Sequence, residues 1–112
     1  MFEIRSYHYI PEKFDAYKKW AIEEAVPFLK ENLNVVGFWI DNGRAPEITG
    51  EDPQQHKHGV ANITWIIKWN SEAERKNGFD NVLGGEGWKD IWSRHPDAKG
   101  YLQMEARFAE EL

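Results

Sequence analysis

The chain has 112 residues, 41% of them apolar, a formal net charge of −5 and no cysteine. That length suits one domain spanning 1–112, and an acidic balance without a basic run argues against nucleic acid or an anionic membrane surface as a partner. The lack of cysteine removes disulfides, thiolate metal sites and a cysteine nucleophile together. No apolar run approaches membrane-spanning length, and strand-like alternation from residue 2 leaves no room for a signal peptide. The expectation is a soluble cytoplasmic protein.

In chain order, FEIRSYHYI (2–10) alternates as a strand. Pro11 and Glu12 then open a helix in which Phe14, Tyr17, Ala21, Ala25 and Phe28 recur at helical spacing, widened by Ile22, Val26 and Leu29. Pro27 lacks an N–H and crowds the carbonyl of Glu23, so a kink or a fresh turn is expected there. NVVGFWIDNG (34–43) reads as a strand ending in an Asn-Gly turn. Residues 43–59 form one long irregular segment, and loops of that length in small domains are often functional or mobile.

ANITWIIKW (61–69) is the strongest strand pattern. Ser71 and Glu74 form a capping box, and the helix that they open stops at Gly84-Gly85. Trp88, Ile91 and Trp92 share a face of a short helix, and the last strand runs from about 101 to 108. This order predicts an α+β, ferredoxin-like βαββαβ fold: a four-stranded antiparallel sheet with both helices on one face and strand order 4-1-3-2.

Sorting the strands by parity assigns Phe2, Ile4 and Ile10, Val36, Phe38 and Ile40, the Ile63–Trp69 alternation, and Leu102, Met104, Ala106 and Phe108 to the helices. The other parity carries Glu3, Arg5, Tyr7 and Tyr9, with Val35, Gly37, Trp39 and Asp41, then Asn62, Thr64, Ile66 and Lys68, and Tyr101, Gln103, Glu105 and Arg107. So many rings among balanced charges mark an interface or a pocket. The expectation is a homodimer that packs these faces about a two-fold axis, with ligand space between the sheets.

EIRSY at the start, VGFW, ITWIIKWNSEAER, Trp88 and EARF together resemble the NIPSNAP family of the dimeric α+β barrel superfamily. The resemblance covers nearly the whole chain and implies a homodimer whose two sheets form a barrel. It matches Arg5 and Tyr7 to the family's barrel-facing pair and Arg75 to its helix-start arginine. Trp69 stands where the family often has Tyr, and the 43–59 loop is longer than the usual hairpin. Related barrels include cofactor-free monooxygenases, cyclases and lyases, alongside members with no known activity.

The candidate chemistry is that of a small aromatic or apolar carbonyl ligand, with no cofactor and no metal. Arg5, with Glu3 or Glu105, offers a rigid donor fork that can orient an anionic or carbonyl ligand, although a structural ion pair bridging the first and fourth strands is the favoured explanation. Tyr7 and Tyr9 can donate protons or stack on a ring, and His8 is the third candidate for proton handling beside Arg5 and Tyr7. Trp39 supplies a wall, and Asn62, Thr64, Lys68, Gln103, Glu105 and Arg107 complete the expected lining with Glu3 and Tyr9. His56 and His58 read as a solvated loop, and His95 as a helix-end cap. The alternatives are a non-catalytic interaction module that uses the face only to dimerise, and a cofactor-independent monooxygenase or lyase.

Overall fold

The computed structural model describes residues 1–112. Strand β1 (Phe2–Tyr9) leads through a short turn of helix at Pro11–Lys13 into α1 (Phe14–Trp20), a wide turn over Ala21–Ala25 and α2 (Val26–Asn32). The wide turn answers the question posed by Pro27. The Val26 N–H reaches back five residues to the Ala21 carbonyl, so the helix absorbs the proline through a π-type turn and continues. Tyr17, Trp20, Ala21, Ala25 and Leu29 form its buried stripe, while Ile22 remains 62% exposed.

β2 (Val35–Ile40) and β3 (Ile63–Lys68) flank the long loop. Next come α3 (Glu72–Gly78), a second wide turn over Phe79–Leu83, α4 (Glu86–Trp92) and β4 (Tyr101–Ala109). The Ser71 half of the capping box forms, its hydroxyl accepting from the Glu74 N–H at 3.0 Å, while Glu74 Oε2 reaches one residue further back and accepts from the Asn70 N–H at 3.1 Å. Ser71→Ala is expected to cost about 1 kcal/mol, read as a lower midpoint in thermal denaturation. No helix is long and apolar enough to cross a membrane.

The four strands pair antiparallel in the expected order, β2-β3-β1-β4. Their register corrects the parity of β1. Directly paired residues share a face, and Glu3, Arg5 and Tyr7 pair with Ile67, Trp65 and Ile63, which are buried beneath the helices. The polar and phenolic side of β1 therefore lies under the chain's own helices, and Phe2, Ile4, Ser6 and His8 occupy the outer face. The physical reason is pairing: Glu3 is fully buried because four N–H groups of Arg5, Trp69 and Arg75 donate to it, which removes most of the cost of burying a charge.

Two bulges make smaller corrections. The β1–β4 register shifts between His8 and Tyr9, so Leu102 is the extra residue and Tyr101 turns to the helix side opposite Tyr9. The β2–β3 register shifts between Val35 and Gly37, which sends Val35 inward and leaves Val36 53% exposed. One inserted residue reverses every side chain beyond it.

Candidate functional site

The helix side of the sheet holds a cavity of about 50 Å³ near its centre. Tyr7, Phe38, Trp65, Tyr101 and Met104 form its floor, and Tyr17, Trp20, Ala25, Leu29, Trp88 and Trp92 of the helices form its roof. Every lining residue is apolar or aromatic, so the only side-chain oxygens are the three phenols. The ring packing is dense: Trp20 lies 6.1 Å from Trp88 and 5.7 Å from Trp92, and Tyr7 meets Tyr101 edge-to-face at 5.5 Å.

Tyr7 is the most elaborately held of these groups. Its oxygen accepts from Arg5 Nε at 2.6 Å and from Trp65 Nε1 at 2.9 Å. Both lone pairs are used, and no acceptor within the chain takes the Tyr7 proton. Arg5 in turn donates from Nη1 to Glu3 Oε2 at 2.7 Å. Glu3 also receives Arg75 Nε at 2.8 Å and Trp69 Nε1 at 2.9 Å on Oε1. Burial opposes the guanidinium charge of Arg5, but Tyr7 and Glu3 outweigh it and raise its pKa. Burial likewise pushes the Glu3 carboxyl up, yet the donors of Arg75, Trp69 and Arg5 hold it below its ordinary 4.5. A charged chain thus runs from Arg75 on α3 through Glu3 and Arg5 to the phenol at the cavity wall.

Tyr9 serves the scaffold. Its hydroxyl donates to the Asp97 carbonyl at 2.8 Å, and burial raises its pKa to about 12. A Cβ on Gly100 would stand 2.7 Å from the Tyr9 ring, so only glycine fits there. The Asn62 side chain bonds both the N–H and the carbonyl of Tyr9, acting as one more rung of the ladder.

Of the residues expected in one site, the structure brings together Glu3, Arg5 and Tyr7, with Tyr9 beside them. Trp39, Thr64, Lys68, Gln103, Glu105 and Arg107 lie across the sheet from the cavity, by the pairings Trp39 with Thr64, Lys68 with Phe2, Gln103 with His8, Glu105 with Ser6 and Arg107 with Ile4. His8 was expected on the helix side but sits on that outer face, where the long loop covers it. It donates from Nε2 to the Gly59 carbonyl at 2.8 Å and stacks on His56 at 4.4 Å. His56 bonds Gln103, and its Nδ1 accepts the His58 N–H. No three His, Asp or Glu side chains converge in a metal-binding arrangement.

Parity reasoning missed Trp65, Tyr17, Tyr101 and His95 as site residues. The first three were legible only as core or wrong-face rings. His95 shows its role through tertiary contacts alone, since its Nε2 lies 2.8 Å from the Tyr101 hydroxyl.

No family model and no curated protein matches the chain. Solved structures do. An uncharacterised NIPSNAP domain protein from Burkholderia xenovorans aligns over 99% of this chain and 93% of its own, at 12% identity and a TM-score of 0.71. A NIPSNAP family protein of unknown function from Agrobacterium tumefaciens aligns over 95% of this chain and 82% of its own, at 18% identity and a TM-score of 0.69. A 5-chloro-2-hydroxyhydroquinone dehydrochlorinase from Burkholderia phenoliruptrix, in complex with 2,5-dihydroxybenzoquinone, aligns over 98% of this chain and 94% of its own, at 10% identity and a TM-score of 0.51. At these identities the likeness is one of fold, and it agrees with the resemblance carried by EIRSY and SEAER.

Proposed function

We propose that this NIPSNAP-fold chain binds a small aromatic or apolar carbonyl compound in the cavity beneath its helices, and that two copies associate through their outer sheet faces. The observation that carries the reading is the Tyr7 phenol. Arg5 and Trp65 fill both lone pairs of its oxygen, which polarises the O–H and leaves its proton for a ligand oxygen. A carbonyl, enol or phenolate oxygen is the natural acceptor, because negative charge that develops there is met by the Tyr7 hydroxyl, which the Arg5 guanidinium polarises in turn. The tryptophan walls suit a planar ring. The dihydroxybenzoquinone held by the distant fold neighbour is likewise a small planar ring with carbonyl oxygens, though a more polar one.

Arg5 and Tyr7 are the residues proposed to act on the ligand, with Glu3 and Arg75 holding Arg5. His8, on the other side of the sheet, is no longer proposed for this work.

The cavity is about a third of the ~150 Å³ that accommodates benzene in an engineered core, so a ring enters only when the lining gives way. Met104 is the residue to do so, being 50% exposed on the edge strand and free about three side-chain torsions. Calorimetric titration with 2,5-dihydroxybenzoquinone tests the proposal. Saturable binding to one site per chain is expected, weakened about tenfold or more by Tyr7→Phe, which removes a hydrogen bond backed by a charge. Met104→Ala should tighten binding by widening the entrance. Binding indifferent to both replacements would remove the cavity from consideration.

A further inference from the structure

The cavity has a second hydrogen-bonding arm, formed by Tyr101 and His95. The backbone N–H of Asp97 donates to His95 Nδ1 at 3.0 Å. That nitrogen therefore carries a lone pair, and the proton of the neutral ring sits on Nε2. Nε2 is 2.8 Å from the Tyr101 oxygen, so histidine donates and tyrosine accepts. Burial lowers the His95 pKa to about 4, with Asp97 only partly opposing the shift, and the ring stays neutral at ordinary pH. As at Tyr7, an inner N–H occupies the phenol oxygen; the one other partner of Tyr101 is the Tyr17 hydroxyl on the same cavity, and a bond between these two phenols uses one of their two protons and leaves the other facing the cavity.

The arm is rigid. The His95 ring stacks on Trp92 at 4.1 Å and meets Trp20 edge-on at 4.5 Å. Asp97, which orients it, is itself tied by the Tyr9 hydroxyl. Tyr101 and Tyr7 line the same cavity with rings 5.5 Å apart. An unspent buried donor costs free energy, and two such donors on one small apolar cavity mark places for two acceptor atoms.

We infer that the ligand of this cavity carries two oxygen acceptors on one small unsaturated skeleton, the first received by Tyr7 and the second by Tyr101, with His95 as the positioning residue that turns the Tyr101 proton inward. The inference rests on the proposed reading of the cavity and narrows its substrate class to hydroxyquinones, dihydroxyarenes and enolised dicarbonyls, as against compounds with a single carbonyl.

The test is calorimetric titration of the wild type and four variants with 2,5-dihydroxybenzoquinone and with acetophenone, which has one oxygen. Tyr101→Phe is expected to weaken the dioxygenated probe about tenfold and to change acetophenone by less than about twofold, as the loss of one hydrogen bond requires. His95→Leu should reproduce that selective loss. His95→Gln, whose side-chain N–H₂ can still donate to the Tyr101 oxygen, should restore most of the affinity, and a merely structural role would give no such rescue. Equal effects of Tyr101→Phe on both probes, no effect on either, or glutamine no better than leucine would each overturn the inference. With Tyr7→Phe as the fourth variant, a loss confined to Tyr7 overturns this inference and leaves the cavity reading standing. Failure of both probes to bind the wild type at millimolar concentration overturns the two together.

Discussion

Replacing Glu3 with alanine is expected to destabilise the fold by about 3–5 kcal/mol, the usual cost of stripping one partner from a buried charge network. That is a large part of the ~5–15 kcal/mol that holds a domain of this size. Glu3 has no solvent exposure, and its loss leaves the Trp69 indole N–H and the Nη1 of Arg5 without acceptors under the helices. Arg75, whose side chain is 30% exposed, can turn to water and suffers less. Urea denaturation measures the change directly, and a variant within 1 kcal/mol of wild type would show that the network holds nothing. The same carboxylate governs acid stability. Its folded pKa lies below the ordinary 4.5, so its contribution is fully present above that value and is lost as pH falls through the folded one. His95 adds a second window in the same direction. With a folded pKa of about 4 against an ordinary 6.5, the unfolded chain takes up a proton between those values and the folded chain does not. Stability should therefore decline from pH 6.5 downward, and Glu3→Gln should flatten only the part below 4.5.

The inversion of β1 shows where sequence reasoning stops. β3 alternates Ile63, Trp65 and Ile67 against Thr64, Ile66 and Lys68, and binary patterning reads that strand correctly because its inner face is purely apolar. β1 breaks the rule at the site itself: its inner face is Glu3, Arg5, Tyr7 and Tyr9, and a rule that sends polar groups outward sends the candidate functional residues with them. A local violation of patterning compensated by partners elsewhere is what a built site looks like. The compensation came from Trp69 and Arg75, which are 66 and 72 residues away from Glu3, a distance that no local pattern spans. The bulge that turns Tyr101 inward is a matter of one extra residue, Leu102, and the neighbouring Gly100 reads from sequence only as the start of the strand. His95, two residues before Asp97, looks like a helix-end cap until Tyr101 is folded against it. Strand order followed from the handedness of the connections, and the Ser71 cap, the arrest at Gly84-Gly85 and the helix faces other than Ile22 rest on local chemistry and were legible.

Trp39→Asp is the second replacement expected to act strongly, and it separates association from binding. Away from the loop that covers His8, the outer sheet face is open in a single chain: Trp39 is 51% exposed and Val36 53% exposed, with Ile4 and Ile66 paired beside them. Trp39 folds its indole over Gly37, where a Cβ would stand 2.4 Å from the ring, so the face is flattened around the tryptophan. Tryptophan is one of the residue types enriched among interface anchors. In a two-fold dimer each replacement acts twice. At ~2 kcal/mol per anchor, Trp39→Asp should raise the dimer dissociation constant about a thousandfold. Sedimentation at micromolar concentration should then find a dimer for wild type and a monomer for the variant, and a wild type that sediments as a monomer would sink the dimer. The cavity is indifferent to that outcome. It lies between the sheet and the helices of one chain, so the monomeric variant should still bind 2,5-dihydroxybenzoquinone within about threefold of wild type, a change under ~1 kcal/mol. A loss of binding that tracks dissociation would instead place the ligand between the sheets and remove Tyr7 from its proposed role.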